Sequence, residues 1–334
     1  MAPMSDAASL TAFHRAGDGT VSQPADEAAL RAALEDAAGL LWVDLFIHSE
    51  ADAAVLRDVF HFHPLTIEDC LSPHVDPAKI DDHGDYLFIV VQALDEYRPD
   101  AEIRSIEVNF YLGPNYVVSS RREPVSAIDQ FRERCRQDEY LLSHPADWLL
   151  HGLLDGLVDE YLPVVDAIDD TIDALEEAVL HNPDGGILHQ IMMVKRNALR
   201  LRRAATPQRD TMNRLSRHEY PKFISEETAI YYRDIYDHLV RVEYLIEALR
   251  DLADGALNTY LSVVSNRLNE VMKVLTAAAA VFLPLTLISG IYGMNFSHNQ
   301  FPSFGEPWGF AAVVGTMVAV AVAMLAFFRF RRWV

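Results

Sequence analysis

Ten residues between Asn258 and Gly290 recur at steps of three and four: Asn258, Leu261, Ser265, Asn269, Met272, Thr276, Ala279, Leu283, Thr286 and Gly290. On a helix this spacing lies close to a coiled-coil repeat and lays the residues along one face. Their side chains are polar, small or thin. Such a face either lines a wet path, where hydroxyl and amide oxygens hydrogen-bond a hydrated cation, or lets another helix approach closely. The stripe alone fits both.

Other groups offer different chemistry. His61, His63, Glu68 and Asp69 hold metal-ligand types within nine positions. There is no HExxH and no nucleophile beside a base, and Pro64 accounts for a turn there, so no enzyme is expected. Asp155, Asp159, Asp166, Asp169, Asp170 and Asp173 read as a solvated acidic face. The basic run Lys195–Arg203 is expected to pair with it, the alternative being local concentration of cations. Asp234 beside Arg233 and Arg241 reads as an exposed ion pair. Cys70 and Cys135 show neither CxxC nor zinc-ligand spacing and read as buried thiols in a reducing compartment.

The stripe continues into an apolar segment. Residues 274–305 contain no Asp, Glu, Lys or Arg, and residues 307–328 contain none either. A bilayer needs about 20 mostly apolar residues per helix, so the expected spans are residues 272–292 and 308–328. Arg267 and Lys273 precede the first span, and Arg329, Arg331 and Arg332 follow the second, whereas the linker has no Lys or Arg. The positive-inside rule places both termini in the cytosol. Two spans enclose no path, so a conducting protein must oligomerise. The first span, with Thr276, Thr286, Ser289 and Gly290, suits the lining; the second, Ala-, Val- and Met-rich, suits lipid.

The net charge is −21. From residue 274 on, one glutamate and three arginines sum to +2, leaving −23 on residues 1–273. This acidic body repels nucleic acid and attracts cations. Residues 1–25, rich in Ala, Ser, Gly, Asp and Pro, read as a loose start without a signal peptide. Residues 26–125 read as an α/β domain, with strands at Leu40–Ile47 and Tyr86–Leu94 and a hairpin turning at Gly113–Pro114. Residues 126–225 form a helical hairpin region, with helices over Ala127–Gln137, Pro145–Leu180 and Ile187–Ala204. A stalk helix covers residues 226–271, the linker residues 293–307 and a basic tail residues 329–334.

Directly after the first span comes Tyr292-Gly293-Met294-Asn295. With Tyr260–Thr276, Pro284–Phe296, Tyr231–His238 and His63–Leu71, it resembles the CorA family of divalent-cation channels over nearly the whole chain. The resemblance implies a funnel-shaped homopentamer: an α/β cytosolic domain, long stalk helices, and two C-terminal transmembrane helices in the cytoplasmic (inner) membrane. It implies magnesium uptake, with cobalt and nickel as further ions, magnesium also as the regulatory ligand, and no organic cofactor. Partners would be other copies of the chain, membrane lipid and divalent cations, with no nucleic acid. It assigns the outer mouth to Gly293, Met294 and Asn295, and further pore positions to Asn269, Met272, Leu275, Leu283 and Thr286, to which the stripe adds Gly290. It assigns regulatory metal between subunits to Asp69 and Asp234, with Glu68 adjacent; Asp170 and Asp173 of the acidic face are further candidate ligands for that metal.

The chain departs from the family pattern. After GMN the linker reads FSHNQFPSFGEPW, with Glu306 its lone acid and His298 added. Asn258 stands where the family often has aspartate, and Leu283 where it often has methionine. A zinc-transporting branch carries GIN; Met294 argues against it. Two other readings stay open: cobalt, nickel or zinc transport, and a non-conducting membrane metal sensor.

Overall fold

The computed structural model describes residues 10–294 and 308–331. Asn295, His298, Glu306 and the terminal residues lie outside the described residues. The chain divides into two compact units, residues 1–257 and 258–334.

The first unit is built on a seven-stranded sheet in the order β2-β1-β3-β7-β6-β5-β4. The strands are β1 (Leu10–Arg15), β2 (Val21–Ser22), β3 (Leu40–Phe46), β4 (Lys79–Asp82), β5 (Leu87–Leu94), β6 (Ser105–Leu112) and β7 (Tyr116–Arg121). β3 and β7 run parallel, Leu41 opposite Tyr116; the other pairs are antiparallel. The apolar runs of β3 and β5 are buried on both faces, as continuous Val/Ile/Leu stretches require. The β6–β7 hairpin turns where the Gly-Pro pair falls. A Cβ at Gly113 would lie 2.2 Å from the Tyr116 ring, so only glycine fits.

Residues 1–25 are not a loose start throughout. β1 pairs with β3 from Leu10↔Leu45 to Arg15↔Leu40. Phe13 is buried and stacks on Trp42 at 5.5 Å. The Ala- and Gly-rich composition conceals a strand whose partner lies some thirty residues on.

Helices α1 (Glu27–Glu35), α2 (Ala54–Asp58) and α3 (Pro64–Leu71) bury Leu30, Leu56 and Cys70 in one core with Val43, Val90 and Tyr111 of the sheet. The opposite layer holds α4 (Ser126–Gln137), α5 (Ala146–Asp159), α6 (Tyr161–His181) and α7 (Gly185–Ser216). The helix expected over Pro145–Leu180 is two, parted at Glu160: Pro163 offers no N–H to continue the ladder and sits in the first turn of α6, where none is needed. α7 runs through Pro207 instead of ending near Ala204. Ala204, Ala205, Thr211, Met212 and Leu215 bury that stretch. Gln208 Oε1 also accepts the Gln92 N–H at 3.0 Å. This packing outweighs one lost helical bond. Cys70 and Cys135 are buried free thiols, pushed up by burial to about 11 and about 12.

One ion network has a fully buried centre and a partly exposed rim. Arg121 contacts Asp44 at 2.9 Å and Asp129 at 2.7 Å, with Arg132 3.4 Å from Asp44. Arg121 and Asp44 are each 1% exposed. Removing one partner strands the other's charge, so Arg121→Met is expected to cost about 3–5 kcal/mol. A wild-type midpoint in urea unfolding of the purified variant would refute this.

α8 (Glu226–Tyr292) is one 67-residue helix, continuous through Pro284, and α9 (Gly309–Phe330) follows the linker. Both carry uncharged windows long enough to cross a bilayer, of mean hydropathy 2.1 and 2.4, with 6% of each window buried. Helices left this bare in one chain require lipid or other copies around them.

Candidate cation path and metal-binding groups

Asn269, Met272, Leu275, Leu283, Thr286 and Gly290 are all exposed on α8. One groove runs over Asn269, Met272 and Thr276; another over Ala279, Leu283, Thr286, Gly290 and Met294. The stripe is therefore a real face of the helix. Leu275 lies outside those two grooves, in a third with Val271, Val274 and Ala278. The Thr286 hydroxyl donates to the Phe282 carbonyl at 2.8 Å, which leaves its oxygen lone pairs free to accept. A Cβ at Gly290 would meet nothing within 4 Å, so packing inside one chain does not demand glycine there. The helix closes with the Gly293 N–H donating to Ser289 O at 2.8 Å and the Met294 N–H to Ile291 O at 3.3 Å. Asn295 follows, outside the described residues.

In the first unit α3 presents Glu68 and Asp69. His63 caps the helix, its Nδ1 accepting the Leu65 N–H at 3.2 Å, and Pro64 fills the first turn. Cys70 lies 3.2 Å from both the Tyr111 and Ser120 hydroxyls, fixing α3 on the sheet. Glu68 is exposed. Asp69 accepts a 2.7 Å hydrogen bond from Lys79 of β4.

Asp234 belongs to a separate group. Asp147 of α5 ties down the start of α8: its Oδ2 accepts the Ser225 N–H at 2.9 Å, and its carbonyl accepts the Tyr232 hydroxyl at 2.7 Å. That clamp brings Asp234 and His238 over Asp155 and Asp159 of α5. Ligand atoms of Asp155, Asp159 and His238 all lie within 4.8 Å of one another. His238 Nδ1 is 3.8 Å from Asp159 and Nε2 is 3.8 Å from Asp234. Both gaps exceed hydrogen-bond reach, and Nδ1 is buried without a partner. Burial, and then the Asp159 charge, push the Asp155 carboxyl above the usual range. Burial likewise draws the His151 imidazole down, against the pull of Asp155 and Asp234. Carboxylates held close to an imidazole, with Asp155 half-buried and Asp159 and Asp234 open to solvent, suit a divalent cation; the oxygens suit magnesium and the nitrogen adds affinity for cobalt or nickel.

Asp155→Asn is therefore expected to act oppositely in two conditions. Without magnesium it removes a desolvated, repelled charge and slightly raises the melting temperature. With magnesium it removes a ligand, and the metal-induced rise shrinks. A variant that melts lower without metal yet keeps the full magnesium shift would contradict this placement.

Other expectations fare differently. Asp170 and Asp173 are exposed on α6, apart from this cluster. The basic run of α7 does not pair with the acidic face of α6. Lys195 binds Asp254, Arg196 and Arg200 bind Glu102, and Arg202 lies 3.7 Å from Glu247. Asp234 pairs with His238, not with Arg233 or Arg241, among the described residues.

Comparison with known proteins places the chain in a family. Residues 37–332 match the family described as CorA-like Mg2+ transporter protein. The cobalt/magnesium transport protein CorA of Thermotoga maritima is 37% identical over 294 residues, covering 87% of this chain and 83% of that protein. The putative metal ion transporter YfjQ of Bacillus subtilis is 35% identical over 292 residues, covering 87% and 89%. The complete structure of the Methanocaldococcus jannaschii CorA magnesium transporter superposes with a TM-score of 0.83 at 18% identity, covering 97% and 98% of the two chains.

Proposed function

Because the chain belongs to the CorA-like family, whose members are transporters rather than enzymes, we propose that it forms a homopentameric channel for magnesium uptake, closed by cytosolic divalent cations bound between subunits. The observation that carries this reading is the bare polar and small-residue face of α8, running through an uncharged membrane span to Gly293 and Met294.

Magnesium is small, hard and slow to shed water. Asn295 amides, one per subunit, with Gly293 carbonyls beside them, would hydrogen-bond the hydrated ion without stripping it. A carboxylate ring would bind more tightly and release more slowly, whereas conduction requires adequate but weak binding. Below the mouth, Thr286, Gly290 and Asn269 offer oxygens or room, while Met272, Leu275 and Leu283 narrow the path with apolar side chains that block ions when dewetted. The membrane potential drives entry, worth about 4.6 kcal/mol for a divalent ion per 100 mV.

Closure draws on the cytosolic acids. Asp69 of one subunit and Asp234 of its neighbour, unscreened, repel; a divalent cation between them favours the closed ring, and its loss at low magnesium lets the subunits part. Asp155, Asp159 and His238 join Asp234 as ligands, and Glu68 extends the set on the α3 side. Asp170 and Asp173 would at most add to the surrounding negative field.

A panel of magnesium, cobalt, nickel and zinc tests the ion assignment in proteoliposomes with low internal metal and an imposed inside-negative potential. Magnesium entry competed by cobalt and nickel is expected. Zinc entry without magnesium entry would replace it with the zinc reading, and no entry of any ion would leave the sensor reading.

A further inference from the structure

The Asp69 carboxylate already holds a cation. Lys79, the first residue of β4, places Nζ 2.7 Å from Asp69, 3.7 Å from Asp76 and 3.8 Å from Asp81. One ammonium faces three carboxylates, and the short contact goes to Asp69. Behind them Glu107 is half-buried and accepts the Asp76 N–H at 2.6 Å. A lysine is an ammonium at cytosolic pH, and here it sits among three carboxylates.

We propose that Lys79 is a tethered competitor for the regulatory cation at Asp69: its ammonium occupies the carboxylate when magnesium is low, and its displacement sets the magnesium concentration at which the protein closes. This rests on Asp69 being a regulatory ligand.

The geometry allows the exchange. A lysine is a point charge on a flexible four-carbon stem. Asp76 and Asp81 stand ready to receive Nζ when it leaves Asp69, so the charge is never stranded. Nζ is also partly solvated, with the side chain 37% exposed. Displacement therefore costs little, and the brake on metal binding is correspondingly modest: about two- to fivefold, the range that partly exposed ion pairs support. A magnesium ion next to an undisplaced ammonium would meet like charge, so the two cations cannot share the carboxylate freely.

The test is magnesium binding to the purified full-length protein by isothermal titration calorimetry, with the internal magnesium giving half-inhibition of uptake as a second readout. Lys79→Gln is expected to lower both values about two- to fivefold. Lys79→Arg keeps the charge and grips carboxylates at least as well, so neither value should fall. Lys222→Gln, which removes a lysine paired with Asp85 instead, controls for a general change of field and should shift neither value. If Lys79→Gln leaves binding unchanged or weakens it while Asp69→Asn abolishes magnesium inhibition, the competitor role is refuted and the regulatory reading stands. An equal shift in Lys222→Gln would also refute it. If Asp69→Asn changes neither binding nor inhibition, the regulatory reading fails and this inference fails with it.

Discussion

Replacing Asn295 by alanine is expected to abolish magnesium uptake by an otherwise intact protein. The α8 stripe supplies little that holds a hydrated cation strongly: hydroxyls, the Asn258 and Asn269 amides at its start, and apolar collars. In the proposed channel the linker offers Glu306 as its lone acid, so capture would fall to the Asn295 amides. Each hydrogen bond to a hydrated ion is worth about 1 kcal/mol. Losing even half of a five-membered ring's contacts would remove about 2.5 kcal/mol, roughly sixtyfold in flux at 1.4 kcal/mol per tenfold. The substitution leaves every residue of the cytosolic unit unchanged, so assembly should persist. The check is uptake per assembled oligomer, with magnesium-dependent thermal stability as proof that the cytosolic sites remain. Uptake within a factor of about three of wild type, a few tenths of that energy, would remove Asn295 from the selectivity role.

Met272→Gln is the second large effect. Met272 is 57% exposed in one chain and lies in the same groove as Asn269 and Thr276. Its thioether is the first bulky apolar group between Asn269 and the uncharged span. If dewetting closes the path there, an amide of similar length lets water stand in the constriction, and the closed protein leaks. Uptake at millimolar internal magnesium should rise at least about tenfold, equivalent to about 1.4 kcal/mol off the barrier, while uptake at low internal magnesium changes little. Met272→Leu keeps the apolar collar and should stay closed. A glutamine variant as tightly closed as wild type would move the constriction elsewhere, with Leu275 and Leu283 the remaining apolar positions.

How far the sequence foretold these features follows from how local each signal is. β3, β5 and the β6–β7 hairpin stand out because each is an apolar run bounded by turn residues. β1, β2 and β4 (KIDD) do not, because short, polar or alanine-rich strands are fixed by their neighbours in the sheet. The membrane spans and the stripe were legible because charge is absent over long runs and because 3–4 spacing survives on any helix. Pro207 and Pro284 mark no helix ends; at Pro207 packing compensates for the missing bond. The Asp155–Asp159–His238 group was missed although half its signal was visible. Asp155/Asp159 and Asp234/His238 are each i,i+4 pairs, which puts both members on one helix face. What joins the two pairs is the Asp147 clamp between α5 and α8, a contact across some eighty residues that no local pattern encodes. Asp170 and Asp173 looked equivalent in composition but face solvent on α6.

The most direct test is magnesium entry into proteoliposomes holding the purified protein and an internal fluorescent indicator, under an inside-negative potential. Entry should be fast when internal magnesium is kept micromolar and fall steeply when the interior is loaded to millimolar before the gradient is imposed. An assembled oligomer that passes no magnesium under either condition would contradict the channel account.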